Sequence, residues 1–118
     1  MTDEELRVIL DNHKLWLSGE AGGIRADLSN EDLSNVDLSN AYLKFANLEG
    51  ADLSGSYLIG ANLSGAYLKG ANLSGANLYS ANLKDANLSD TNLKGAILKG
   101  ANLKGATMTT GSKGEEIE

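Results

Sequence analysis

A leucine or methionine stands at every fifth position from Leu28 to Met108, without a slip. Five suits neither common secondary structure. On an α-helix, steps of five turn each successive leucine by about 140°, which scatters them around the cylinder. In a flat strand an odd step sends alternate leucines to opposite faces. The period makes one core only if the chain turns a corner once per unit and winds into a solenoid, each leucine pointing at a common axis.

The other positions of the unit agree. Centred on the leucine, the units run from Ala26 to Thr110, 85 residues in 17 units. The residue two before the leucine is alanine in 13 units, which suits a small second inward position in a narrow coil. The residue two after it is Gly, Asn or Asp in 14 units, and these types tolerate the left-handed backbone that a corner often needs. Phe45 breaks that rule and is expected to mark a corner without left-handed backbone. Asn or Asp before the leucine and Ser or Lys after it are expected to face water.

The runs Ala46-Asn47-Leu48, Ala51-Asp52-Leu53, Ala61-Asn62-Leu63 and Ala71-Asn72-Leu73, each followed by two variable residues, resemble those of the pentapeptide-repeat proteins. The resemblance covers 85 of the 118 residues. It implies an all-β solenoid, a right-handed quadrilateral parallel β-helix with four units per coil, hence about four coils over residues 26–110. Positions twenty apart then stack. The core ladder is Leu28, Leu48, Leu68 and Leu88 on one side, Leu33, Leu53, Leu73 and Leu93 on the next, then Leu38, Leu58, Leu78 and Leu98, then Leu43, Leu63, Leu83 and Leu103.

Residues 1–25 depart from the repeat and read as a capping helix with its connector. Thr2 and Glu5 have capping-box spacing, and Leu6, Ile9, Leu10, His13, Trp16 and Leu17 fall on one face of a helix expected from about residue 3 to 17, with Gly19 as terminator. Such a helix would cover Leu28, Leu33, Leu38 and Leu43 at the end of the first coil, where a solenoid exposes core and unpaired edges. His13, the one histidine, lacks the companions of a base or a metal ligand and is expected to pack or bond locally in the cap. Glu31 occupies a small inward position, so either the first coil opens there or Glu31 pairs with Arg7, Arg25 or His13.

No constellation for catalysis stands out. The serines and glycines follow the repeat, no base or phosphate-binding motif accompanies them, and Asp27, Asp32 and Asp37 would sit on three sides, too dispersed for a calcium loop. The chain has no cysteine and no apolar run of membrane-spanning length, and its N-terminus carries Asp3, Glu4 and Glu5 where a secretory signal is basic. A cytoplasmic protein without enzymatic activity, cofactor or metal is the expectation.

The outer surface is more informative. The third side collects Asp37, Tyr57, Asn77 and Ile97 before the leucines and Ser39, Ile59, Tyr79 and Lys99 after them. Tyr57, Ile59, Tyr79 and Ile97 therefore form an outward apolar cluster, either a contact for a protein partner or a second copy, or ladder neighbours packing on each other. The fourth side, with Tyr42, Asn62, Asn82 and Asn102 beside Lys44, Ser64, Lys84 and Lys104, reads as a solvated basic stripe.

Charge divides along the axis. Residues 1–55 hold 11 acidic and four basic groups, residues 56–110 two acidic and five basic, within a net −6. The resemblance also raises a DNA-mimicking inhibitor or protector of DNA gyrase or topoisomerase, since some members of that family bind these enzymes in place of duplex DNA. Mimicry needs acids along a long surface, whereas Asp27, Glu31, Asp32, Asp37, Glu49 and Asp52 end by about the second coil. Direct nucleic-acid binding is not expected of an acidic chain with a short basic stripe. A non-enzymatic structural or protein-binding scaffold is the leading expectation, as a monomer or weak homodimer. Its C-terminal coil is expected to be open, edged by Lys99 and Lys104, and followed by a disordered acidic tail at residues 111–118.

Overall fold

Each five-residue unit must find partners for five backbone N–H groups, and how it does so defines the architecture. The computed structural model describes residues 1–109. In the unit of Leu68, the Leu68 N–H donates to the Asn87 carbonyl (2.8 Å), the Gly70 N–H to the Ser89 carbonyl (2.9 Å), and the Tyr67 N–H reaches the other way to Ala46 (2.9 Å). The Ala71 N–H turns back onto the Leu68 carbonyl (2.9 Å) and closes the corner. Parallel pairing therefore joins residues twenty apart, from Asp27 with Asn47 through Asn87 with Thr107. Twenty residues per turn is four five-residue units, so each turn has four short sides. The pairing is too brief to make extended strands, and the element is a parallel β-solenoid.

The fifth N–H belongs to the residue after the leucine, and a side chain satisfies it. The residue before the leucine, where it is Asn or Asp, turns its Oδ1 onto that N–H: Asp27 accepts from Ser29 (3.1 Å), Asn72 from Ser74 and Asn102 from Lys104 (both 3.0 Å). These polar residues thus complete the backbone bonding as well as meeting water. Removing one acceptor costs a modest amount. We expect Asn72→Ala to lower the unfolding free energy by about 1 kcal/mol, read as a shift of the urea midpoint, with faster amide exchange at Ser74.

The corners obey a second rule. Every residue two after a leucine, from Asn30 to Gly105, has positive φ. Phe45, at φ 65°, is no exception, and the expectation from its side chain is corrected. Its ring lies across the corner one coil on, where a Cβ on Gly65 would come within 2.4 Å of the ring. Packing on an empty corner offsets the left-handed strain of about 1–2 kcal/mol. The pattern is general. Asn30, Asn35, Asn40 and Phe45 stand below Gly50, Gly55, Gly60 and Gly65, and Ser80 and Asp85 stand between Gly60 and Gly65 on one coil and Gly100 and Gly105 on another. No two corner side chains stack among the described residues, because each needs the space that a glycine leaves.

The sixteen leucines point inward. Leu28 to Leu98 are at most 2% exposed, and Leu103, near the C-terminal end, is half-buried. Alanine shares the interior, and where Ser56 and Thr91 replace it, their hydroxyls donate to the carbonyls of Leu53 (2.7 Å) and Leu88 (2.8 Å). No buried side-chain N or O atom among the described residues lacks a partner.

Helix α1 (Asp3–Leu17) precedes the solenoid. Thr2 and Glu5 form the reciprocal capping box, and Asp3, Glu4 and Glu5 suit the positive end of the helix dipole. At the other end, the N–H groups of Gly19 and Glu20 donate to Trp16 (3.1 Å) and Leu15 (2.9 Å), and Gly19 takes φ 72°, a Schellman closure. Leu6 joins the leucine core, with Ile9 and Leu10 packed half-buried against it. His13 is fully buried, while Trp16 keeps 38% of its surface exposed. Thr110 and the expected tail at 111–118 lie outside the described residues.

Candidate protein-binding face

The third side is built on Leu38, Leu58, Leu78 and Leu98, and pairing of Asp37, Tyr57, Asn77 and Ile97 in sequence sets its outer column. Tyr57 is 50% exposed, Tyr79 and Ile97 47% each, and Ile59 is half-buried. The tyrosine rings make no aromatic pair or cation contact among the described residues. Ring-on-ring stacking therefore does not account for their presence.

A local rule is broken here. In most units Asn or Asp before the leucine supplies the fifth acceptor, yet Tyr42, Tyr57, Tyr67 and Ile97 stand in that place and give it up. Two of the four have an internal use. The Lys14 ammonium lies 5.1 Å from the centre of the Tyr42 ring and the Arg25 guanidinium 4.8 Å from that of Tyr67, so both rings help to seat the helix and its connector. Tyr57 and Ile97 have no such cation, and both lie on the third side. The twenty-residue coil implied by the family resemblance lined up this column in the sequence, but the cation partners were missed, because they come from residues outside the repeat.

The adjoining fourth side carries a groove of about 390 Å³ lined by Lys44, Phe45, Asn62, Ser64, Gly65, Asn82, Lys84 and Asp85. The Lys44 ammonium lies over the Phe45 ring, 5.2 Å from its centre. A second opening, about 620 Å³, lies where α1 meets the first coil, between Met1, Glu4, Glu5, Val8, Ile9 and Glu31. Glu31 is half-buried at its rim, and the coil does not open there: the Glu31 N–H bonds to the Leu28 carbonyl (3.3 Å) and its carbonyl accepts from Asp52 (2.9 Å), as elsewhere in the repeat. The alternative ion pairs do not form: Arg7 binds Glu4 (2.6 Å), Arg25 donates Nε–H to the Phe45 carbonyl (2.6 Å), and His13 bonds only to backbone.

Three aspartates of the first coil, Asp27, Asp32 and Asp37, are held in their charged form. The Ser29 hydroxyl and N–H keep the Asp27 carboxyl below the usual range, Ser34 does the same for Asp32, and the N–H and then the hydroxyl of Ser39 do so for Asp37. No group of carboxylates or histidine that could hold a metal ion occurs among the described residues, and none of their helices is long and apolar enough to cross a membrane.

The family model for pentapeptide repeats matches residues 24–55, 46–85, 56–95 and 71–109, in eight copies. This chain belongs to the pentapeptide-repeat family. Solved structures agree. A pentapeptide repeat protein from the cyanobacterium Cyanothece 51142 is 46% identical with a TM-score of 0.71, over 72% of this chain and 58% of that one. Another, from Nostoc Pcc 7120, is 30% identical with a TM-score of 0.68, over 84% of this chain and 93% of that one. A trypsin-treated form of QnrB1, a plasmid-mediated fluoroquinolone resistance protein, is 28% identical with a TM-score of 0.63, over 66% of this chain and 38% of that one. The pentapeptide-repeat chain thus spans under two thirds of the Cyanothece protein. None of the curated proteins compared with it matches.

Proposed function

We propose that the chain is a non-enzymatic scaffold whose third side binds another protein through Tyr57, Ile59, Tyr79 and Ile97. One observation carries the reading: Tyr57 and Ile97 forgo the side-chain acceptor that most units keep, and about half of each side chain is left exposed, with no cation over the Tyr57 ring as there is over Tyr42 and Tyr67. A local rule broken without the compensating cation contact that Tyr42 and Tyr67 gain points to a use other than folding. In this reading residues 1–25 cap a right-handed stack of about four coils at residues 26–110, and the stack holds the face rigid. A binding surface held rigid loses little entropy when it engages a partner.

The test compares the parent with Tyr57→Ser, Tyr79→Ser, Ile97→Ser. Sedimentation gives the solution mass of each form, and capture from a lysate gives the proteins each retains. We expect the triple variant to stay folded, because the three side chains are about half exposed, and to lose either a self-associated species or a captured protein. Identical mass and identical captured proteins for the two forms would remove the face from the account.

The likeness to QnrB1 and the acidic start of the solenoid favour a second reading, a DNA-mimicking inhibitor or protector of gyrase or topoisomerase. Its weakness is the charge pattern, because Lys84, Lys94, Lys99 and Lys104 occupy the later coils where a mimic needs acids. Gyrase supercoiling with and without the protein separates the two. Inhibition, or protection from a quinolone, would select the mimic.

A further inference from the structure

His13 does more than fill space under the helix. It is fully buried, and both ring nitrogens are engaged. The Ala26 N–H donates to Nδ1 (2.9 Å), and Nε2 lies 2.8 Å from the Lys44 carbonyl. A backbone N–H only donates and a carbonyl only accepts, so the pair specifies one state: neutral imidazole with its proton on Nε2. Ala26 opens the first coil and Lys44 lies near its close. The ring thus fastens both ends of the first turn to α1.

We infer that His13 is an acid-released latch for the cap. A second proton has only Nδ1 to occupy, where it meets the Ala26 N–H, and two donors then face each other across a former hydrogen bond. No side chain nearby welcomes the charge. The Arg25 guanidinium acts against it; Lys44 offers a carbonyl but turns its ammonium over Phe45; Lys14 lies over Tyr42; and the Asp27 carboxyl is engaged by Ser29. Among the described residues no carboxylate pairs with the ring. Burial foremost, then Arg25, hold its pKa below the ordinary histidine value against the Lys44 carbonyl, which favours the charged form.

The direction of the pH effect follows from linkage. The released ring takes up a proton at its ordinary value, near 6.5, and the docked ring only at a lower pH. Docking is therefore fully supported above about pH 6.5 and weakens as pH falls, by up to roughly tenfold per pH unit until the docked ring also titrates. Asp27, Asp32 and Asp37 act in a separate window. Their pKa values are lowered by folding, so the stability they add persists until pH falls below about 4. Release of the helix at mildly acidic pH uncovers Leu28, Leu33, Leu38 and Leu43 while the coils beyond stay wound.

Trp16, the one tryptophan, stacks on His13 with centroids 5.5 Å apart and serves as the reporter. The full chain is taken from about pH 8 to about pH 5, a range spanning the histidine window. Trp16 fluorescence and amide exchange corrected for intrinsic rates are followed. The expected result is loss of protection across α1, by up to about tenfold per pH unit below pH 6.5, in step with the Trp16 signal, while Leu68 and Leu73 stay protected. His13→Gln, which cannot titrate, is expected to respond flatly. Three results would overturn the latch: α1 protection indifferent to pH in this window, a His13→Gln response matching the parent, or helix and coil amides lost together. Should His13→Gln fail to dock its helix, the ring nitrogen shifts of His13 in the parent decide: the Nε2-protonated neutral ring is expected to give way to the doubly protonated one in step with loss of α1 protection, and a ring that protonates while α1 stays protected, or stays neutral as α1 is released, would overturn the latch.

Discussion

Leu68→Ala is expected to lower the unfolding free energy by about 2–5 kcal/mol. Leu68 is fully buried in a middle coil, with Leu48 and Leu88 in the same column on adjacent coils. The backbone around it is fixed from both sides, its N–H bonded to Asn87 (2.8 Å) and the neighbouring Tyr67 N–H to Ala46 (2.9 Å). The walls of the hole left by truncation are therefore tied and relax little, which puts the cost toward the upper part of that range. Leu103→Ala should cost less, because Leu103 is already half-buried at the end of the stack. Urea denaturation of the two variants, with Ser74→Ala as a surface control costing almost nothing, checks the ordering. Parent-like stability for Leu68→Ala would contradict an inward leucine column.

The same comparison separates what a periodic sequence can reveal from what it cannot. Leucine every fifth residue has one economical solution, so a solenoid with inward leucines follows from spacing alone, whereas the four columns were what the family resemblance implied, because a period of five does not give the number of sides. The corner preference followed too, since Gly, Asn and Asp share a tolerance for positive φ. Phe45 was misread because conformational preference was weighed without the neighbour across the coil. Its ring is admitted by Gly65, twenty residues away, and only the pairing of coils puts those two together. Asn72 and its equivalents were assigned to solvent for a similar reason. Polarity marks them as surface residues, but the N–H they serve is identified only once the other four N–H groups of the unit have partners. On the candidate face, the residues were visible as a column, whereas the contrast between Tyr57 and Tyr67 depends on where Arg25 lies.

Gly23→Ala is the prediction that bears most directly on the cap. Gly23 has no left-handed backbone to accommodate, so its requirement for glycine comes from space alone. A Cβ there would stand 2.4 Å from the Trp16 nitrogen, 2.5 Å from the Trp16 Cα and 2.8 Å from the Leu15 carbonyl carbon. All three atoms are backbone at the end of α1, which cannot rotate aside as a side chain can. The connector crosses the helix here, with the Ile24 N–H bonded to the Asn12 carbonyl (3.0 Å), and then delivers Arg25 to Phe45 and Ala26 to His13. A methyl group at residue 23 must push the helix away and break these contacts together. We expect several kcal/mol of lost cap docking, comparable with severe overpacking. Exchange protection should be lost through α1, while the amides of the middle coils remain protected because their bonds run between coils. Gly22→Ala provides the contrast. At φ 83° it is strained in the backbone, but its nearest neighbour is a side-chain atom 4.0 Å away, so it should cost about 1 kcal/mol and leave the helix docked. If Gly23→Ala kept α1 protected at neutral pH, the close crossing of connector and helix would be wrong, and with it the geometry that brings Ala26 to His13.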